Sequence, residues 1–144
     1  MKAKLRKLEK KLSLINKKVY QDFVFRINEL KKMTRNFIND EVKKGKKVYV
    51  YGASTKGNTM LQFYNLSYPM IKAAADRNSI KWGKKTIGTL IPIISEERAR
   101  LERPDYFLIL PWHFLKEFIK REEDYLKSGG KFIVPLPNFK IISV

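Results

Sequence analysis

The stretch from Val48 to Met60, VYVYGASTKGNTM, constrains the fold more than any other part of the chain. Val48, Tyr49, Val50 and Tyr51 are β-branched or aromatic, the types that suit a pleated surface. Four in a row, with no polar alternation, predict a strand buried on both faces, as in a parallel sheet. Gly52-Ala53-Ser54-Thr55-Lys56-Gly57-Asn58 follows. Its small side chains let the chain turn tightly and let a ligand approach the backbone. Thr59, Met60, Leu61, Phe63, Tyr64 and Leu66 then carry the spacing of an amphipathic helix. Strand, small-residue loop and helix form the opening unit of nucleotide-binding α/β folds, where free N–H groups at the helix start face a phosphate. The loop matches neither G-x-G-x-x-G nor G-x-x-x-x-G-K-[ST]. A ligand site and a plain βα connection both fit it, since such connections commonly run about 2–6 residues. Lys56 beside helix N–H groups suits an anion site, with a solvated lysine as the alternative. In the ligand reading, a bulky residue at Gly57 blocks the ligand and spares the fold.

The alternation continues downstream. Residues 70–76 read as a second strand, 81–89 as a loop rich in Lys and Gly, and 91–94 as a short extended piece. Ser95 is a natural N-cap for a short helix that Pro104 ends. Residues 105–110 form a clear buried strand that runs into Pro111-Trp112-His113-Phe114. Leu115, Phe118, Ile119, Glu122, Tyr125 and Leu126 predict one helix, stopped at Ser128-Gly129-Gly130. Residues 131–137 read as the next strand; Pro135 and Pro137 place its end at a sheet edge or over a site. Residues 139–144 form a last strand. This order predicts an α/β fold: a Rossmann-like, mostly parallel sheet flanked by helices. Ligands in such sheets lie beyond the C-terminal strand ends. Those ends carry residues 52–58, 76–78, 111–114 and 135–138. Asp76 lies about twenty residues past the loop, where nucleotide folds hold a ribose hydroxyl; a turn or cap role fits it equally.

Residues 1–44 carry one long helical pattern, an arm set apart from a domain of residues 45–144. Leu5, Leu8, Leu12, Ile15 and Val19 step by three and four; Phe23, Ile27, Leu30, Phe37 and Ile38 continue near that spacing. Gly45 is a stop signal. About 40 residues is long for a globular helix, so a break is expected near 13–16 or 17–22. The apolar stripe can pack back on the domain, form a homo-oligomer seam, or dock on another chain. The outer face, Lys2, Lys4, Arg6, Lys7, Lys10 and Lys11, suits anionic lipid or nucleic acid.

Composition narrows the chemistry. With no cysteine and one histidine, His113, neither a disulfide, a thiolate or histidine-rich metal site, nor a cysteine nucleophile is available. No metal is expected. No apolar run reaches the roughly 18 residues of a membrane span, and the N-terminus lacks the apolar core of a signal peptide. A cytoplasmic location follows as an expectation. The net charge of +17 favours polyanions. The cations are mostly lysines spread along the chain, a pattern that an AT-rich genome also produces.

Four blocks in order, YGASTKGNTMLQ, AADRNSIKWGKKTIGTLIPI, RPDYFLILPWHF and GGKFIVPLP, resemble the C-terminal domain of sugar C-methyltransferases. The resemblance runs from about Gly45 to Pro137, and the preceding helix resembles the one leading into that domain. It implies a Rossmann-like domain that helps hold a nucleotide-linked deoxysugar. Complete relatives also carry a cysteine-rich zinc domain and a domain that binds S-adenosylmethionine. These 144 residues hold no cysteine and no acidic-G-x-G-x-G loop after a first strand. The methyl donor is therefore expected only in a separate catalytic part, such as a partner chain, and these residues alone are not expected to transfer a methyl group.

Physical roles follow for the substrate. Gly52, Ser54, Thr55 and Lys56, with the Gly57 and Asn58 amides, meet a diphosphate. Asp76 and Asn78 meet a hydroxyl, Trp112 and His113 contact sugar or base, and Lys81 and Lys84 add positive field. His113 is the one imidazole and hence a candidate general base near neutral pH, although a lone His beside Trp112 is more often a packed or ligand-edge residue. Two other readings stand beside this one: a binding or regulatory module that lost the reaction, and a basic binder of nucleic acid or anionic surfaces.

Overall fold

In the computed structural model, which describes residues 1–144, Val48–Tyr51 forms the central strand β1, buried at all four positions. A strand covered on both faces is apolar throughout, which is why the sequence there does not alternate. β2 (Ala73–Asp76) pairs along one edge of β1 and β4 (Tyr106–Ile109) along the other, both parallel. Val50 lies in register with Ala74 on one side and Leu108 on the other. β3 (Ile93–Ser95) and β5 (Lys131–Val134) extend the sheet in parallel, and β6 (Lys140–Ile142) closes one edge antiparallel. The order is β3-β2-β1-β4-β5-β6, the mostly parallel α/β sheet that the sequence predicts.

Alternate residues of each strand feed opposite layers. Val48, Val50, Ala74, Leu108 and Ile133 share one core with Ile38 and Leu61. These last two come from α2 (Lys17–Lys43) and α3 (Thr55–Phe63). Tyr49, Tyr51, Phe107, Ile109 and Phe132 share the other core with Ala99, Phe118 and Leu126. Those three belong to α4 (Glu96–Glu102), α5 (Leu115–Arg121) and α6 (Glu123–Lys127). Strand order reverses between β1 and β4, so the connections leaving them diverge to opposite faces. A crevice opens there, at the C-terminal strand ends.

The N-terminal pattern breaks at the first of its two expected positions. α1 (Lys2–Lys11) ends, Ser13 takes φ 52°, and Asn16 caps α2 by accepting from the Lys18 amide at 2.9 Å. α2 ends as Gly45 signals: the Gly45 amide bonds the Val42 carbonyl and the Lys46 amide bonds that of Glu41. α1 buries no residue, whereas the later half of α2 buries Thr34 and Ile38. A buried side chain such as Ile38 contributes about 1.5–3 kcal/mol. Phe37 meets Tyr106 edge-on at 5.5 Å, and Glu41 accepts from the Tyr106 hydroxyl at 2.7 Å. The end of the arm is therefore part of the core of the sheet.

Two elements differ from the sequence reading. α3 starts at Thr55 rather than Thr59, so the loop is only Gly52-Ala53-Ser54. The helix expected over residues 115–126 splits at Glu122, whose side chain turns into the interior and is 2% exposed.

Candidate functional site at the β1–β4 crevice

The turn after β1 is fixed by close packing. Gly52 has φ 89°, and a Cβ there would lie 3.0 Å from Pro111 Cγ, so the loops leaving β1 and β4 touch. Ser54 is the N-cap of α3: its Oγ accepts from the Gly57 amide at 3.0 Å and its carbonyl from the Asn58 amide at 2.9 Å. The Ser54, Thr55 and Lys56 amides have no partner within the chain. These three, rather than those of Gly57 and Asn58, are free for an anion. Gly57 is buried, and a Cβ there would sit 2.8 Å from Leu110 Cδ1. The glycine lets the helix start lie against the end of β4. A bulky residue at Gly57 therefore presses on Leu110 within the fold as well as on any ligand.

Asp76, Asn78 and Lys81 come together, but on one another. Asp76 Oδ2 accepts from the Ala53 amide at 2.9 Å and from Lys81 Nζ at 3.0 Å, and Oδ1 accepts from the Asn78 amide at 2.8 Å. Lys81 Nζ also donates to the Ala53 carbonyl at 2.9 Å. Asn78 Oδ1 caps the 3₁₀ turn Ser79–Lys81. Trp82 Nε1 donates to the Asp76 carbonyl at 2.7 Å. The carboxylate thus holds the turn after β1, and of its roughly four acceptor sites only one, on Oδ1, is left for a hydroxyl.

Residues 83–90 lean over the start of α3. Gln62 Nε2 donates to the Ile87 carbonyl at 3.0 Å, and Thr89 Oγ1 donates to Asn58 Oδ1 at 3.5 Å. Thr86 and Thr89 share a buried hydroxyl bond of 2.6 Å. Between this segment and the helix lies a cleft of about 220 Å³, walled by Ser54, Thr55, Asn58 and Lys85. Lys85 is the lysine that lines it. Sequence reasoning chose Lys81, which is engaged with Asp76, and Lys84, which lies outside the walls; adjacent lysines in a loop give no sequence signal of which one borders a cleft. Lys56, Lys84 and Lys85 are all exposed.

After β4 the chain forms a 3₁₀ turn, Trp112–Phe114. His113 is exposed, packed between Trp112 (ring centres 5.4 Å) and Phe114 (4.8 Å). It makes no hydrogen bond to a carboxylate or hydroxyl, so no general-base relay forms around it. Trp112 and His113 wall a cleft of about 540 Å³ against Leu136, Pro137 and Lys140. No group of three His, Cys, Asp or Glu side chains is arranged to hold a metal.

An ion network behind the crevice escaped the sequence reading. Arg100 Nε meets Glu122 Oε2 at 2.8 Å and its Nη2 meets Oε1 at 2.5 Å. The Tyr51 hydroxyl donates to Glu122 Oε1 at 2.7 Å, and Arg100 Nη2 also reaches Glu96 at 3.0 Å. Burial first, then the Glu122 carboxylate, push the Tyr51 phenol far above its ordinary pKa. The bond to Glu122 raises Arg100 likewise. One signal was available: Glu122 occupies an apolar position in the spacing Phe118, Ile119, Glu122, Tyr125.

Comparison with known proteins adds two findings. The family described as the C-methyltransferase C-terminal domain matches residues 2–137. The C-methyltransferase NovU of Streptomyces niveus is 37% identical over 124 residues, a stretch covering 86% of this chain and 30% of that protein. The chain thus spans under a third of that relative's length.

Proposed function

The chain belongs to the C-methyltransferase C-terminal domain family, and on that premise we propose that it is the nucleotide-sugar-binding part of an S-adenosylmethionine-dependent C-methyltransferase. The observation that carries this reading is the run of three partnerless amides, Ser54, Thr55 and Lys56, at the start of α3. They lie at the strand-order reversal beside a Lys85-lined cleft. Backbone N–H groups at a helix start suit a diphosphate. In this reading the diphosphate meets Ser54, Thr55, Lys56 and Lys85, while Asp76, Asn78 and Lys81 fix the turn that presents them. The half-buried Trp112 and the exposed His113 offer rings at the rim.

The methyl donor belongs to a separate catalytic part. A dinucleotide-type fold holds an adenosyl ribose with the acid ending its second strand; here that acid, Asp76, already accepts from Ala53, Asn78 and Lys81. When bound next to this domain, the donor supplies the methyl group. These residues would bind and orient the sugar nucleotide. A cytoplasmic location is part of the same reading, and no helix is long and apolar enough to cross a membrane.

The exposed cations of α1, Lys2, Lys4, Arg6, Lys7, Lys10 and Lys11, favour a second reading, a binder of anionic surfaces or nucleic acid. Titration by calorimetry with a nucleotide-linked hexose, alongside a short duplex, separates the two. Saturable binding of the sugar nucleotide that survives added salt supports the first. Binding only to the duplex, lost steeply with salt, supports the second.

A further inference from the structure

Two clefts meet across the turn after β1. The first, walled by Ser54, Thr55 and Lys85, has no acid in its lining. The second, of about 310 Å³, lies toward α5 and begins at Gly52. Ala53 lines the first cleft and Gly52 the second, so the ridge between them is narrow, and Gly52 places no side chain on it.

The second cleft has different chemistry. Arg77 and Arg121 face Glu96 and Glu117 there, and the remaining charge, Asp76, is matched by Lys81 at 3.0 Å. Positive and negative groups balance, so a diphosphate gains little. Hydroxyls, which donate to carboxylates and accept from guanidinium groups, gain from both.

Arg121 is poorly matched within the protein. Its guanidinium lies 5.1 Å from the Phe118 ring centre and 5.8 Å from that of Tyr51. Its Nε and Nη1 are buried without an acceptor; Glu96 stands 3.7 Å away, and the bond from Nη2 to Glu117 is 3.4 Å long. Buried donors of this kind call for an explanation, such as a bound group that draws the cluster together. Phe114, 51% exposed, offers an apolar face at the cleft.

We propose that this second cleft takes the glycosyl ring of a nucleotide-linked sugar. Ring hydroxyls bridge Glu117 and Arg121, the apolar ring face covers Phe114, and the diphosphate crosses the Gly52 ridge to the Lys85 cleft. The proposal rests on the substrate reading above.

Calorimetry on the full chain tests it, with a nucleotide-linked hexose and the matching nucleoside diphosphate as ligands and Phe114→Ala and Glu117→Ala as variants. Both side chains are exposed, and a melting curve for each variant checks its fold. Each substitution should weaken the sugar nucleotide about tenfold, the size of one lost hydrogen bond to a charged group or one lost apolar contact, and leave the nucleoside diphosphate unchanged. Equal weakening of both ligands would put the nucleoside in this cleft and overturn the proposal, as would unchanged affinity for both. If the unaltered chain binds neither ligand, the substrate reading itself fails and this proposal falls with it.

Discussion

Lys81 and Asp76 meet at 3.0 Å, and each also grips Ala53: the ammonium donates to its carbonyl and the carboxylate accepts from its amide, both at 2.9 Å. The turn after the central strand is therefore held by charged side chains from the end of the neighbouring strand. Asp76→Ala strands the Ala53 and Asn78 amides and the Lys81 ammonium together. It should lower stability by roughly 1–3 kcal/mol in urea unfolding. Because it loosens the turn, it should weaken free pyrophosphate as much as a nucleotide sugar. A variant that weakens only the nucleotide sugar would instead return Asp76 to direct contact with the nucleoside.

Glu122 is a buried carboxylate serving Arg100 and Tyr51. Glu122→Ala leaves the buried Tyr51 hydroxyl without its acceptor, while Arg100, 39% exposed, keeps Glu96 at 3.0 Å, so it should cost about 2–3 kcal/mol. Tyr51→Phe removes one hydrogen bond to a charged acceptor and should cost about 1.5–3 kcal/mol. The double variant Arg100→Met with Glu122→Leu should regain much of the loss, since apolar replacement of a whole buried pair is commonly near neutral. Urea midpoints of the three proteins check this; a double variant no more stable than Glu122→Ala would refute it.

Much of this architecture is legible along the chain. The four-residue apolar run of β1, the Gly45 stop and the Ser95 cap are local signals, and the structure uses each locally. The departures have one physical origin, partners distant in sequence. Gly57 reads as loop because glycine weakens a helix interior, yet helix it is, since Leu110 leaves no room for a Cβ. Ser54 was the local sign of the earlier helix start. The end of β2 at Asp76 and a turn role for its carboxylate, here through the Asn78 amide, are both legible; the bond to the Ala53 amide is not, because Ala53 lies 23 positions away. The Arg100–Glu122 bond spans 22 positions, and only the fold brings the two together.

Gly57 therefore makes a test of packing. Gly57→Val forces a side chain against Leu110 and should destabilise the domain by about 1–3 kcal/mol, the usual effect of overpacking. A thermal melt decides it: a variant as stable as the parent would mean that Leu110 yields freely and that the glycine serves something other than packing.

The pH dependence has two limbs. Glu102 is held below its ordinary 4.5, chiefly by the Tyr49 hydroxyl and then Arg98; Glu41 is held down by Lys44 and then Tyr106. A carboxylate lowered by folding contributes stability that is complete above its ordinary pKa and is lost as pH falls through the folded value. Tyr106 has the opposite sign. Burial, followed by the Glu41 bond, pushes its phenol from 10.0 up to about 12, so its contribution is complete below 10 and is lost as pH rises toward 12. Urea midpoints should hold a plateau between these limbs. Tyr106→Phe should make the alkaline decline shallower, and an unchanged alkaline slope would refute this role.

The last prediction separates the two halves of the N-terminal arm. α1 buries nothing, while Leu5, Leu8 and Leu12 stand about half exposed and Ile15 is 91% exposed. Exposed apolar side chains in a row commonly mark a contact surface. α2 differs, because Ile38 is fully buried against the sheet and Glu41 bonds Tyr106. Removing residues 1–15 should therefore leave the melting temperature nearly unchanged. Ile38→Ala, which opens a cavity beside β1 and β4, should lower stability by about 2–5 kcal/mol. If the α1 stripe joins chains together, the shortened protein should also show a smaller mass by light scattering, with its fold intact. An unchanged mass and unchanged solubility would remove α1 from any association, whereas a large loss of stability would show that it packs on the domain.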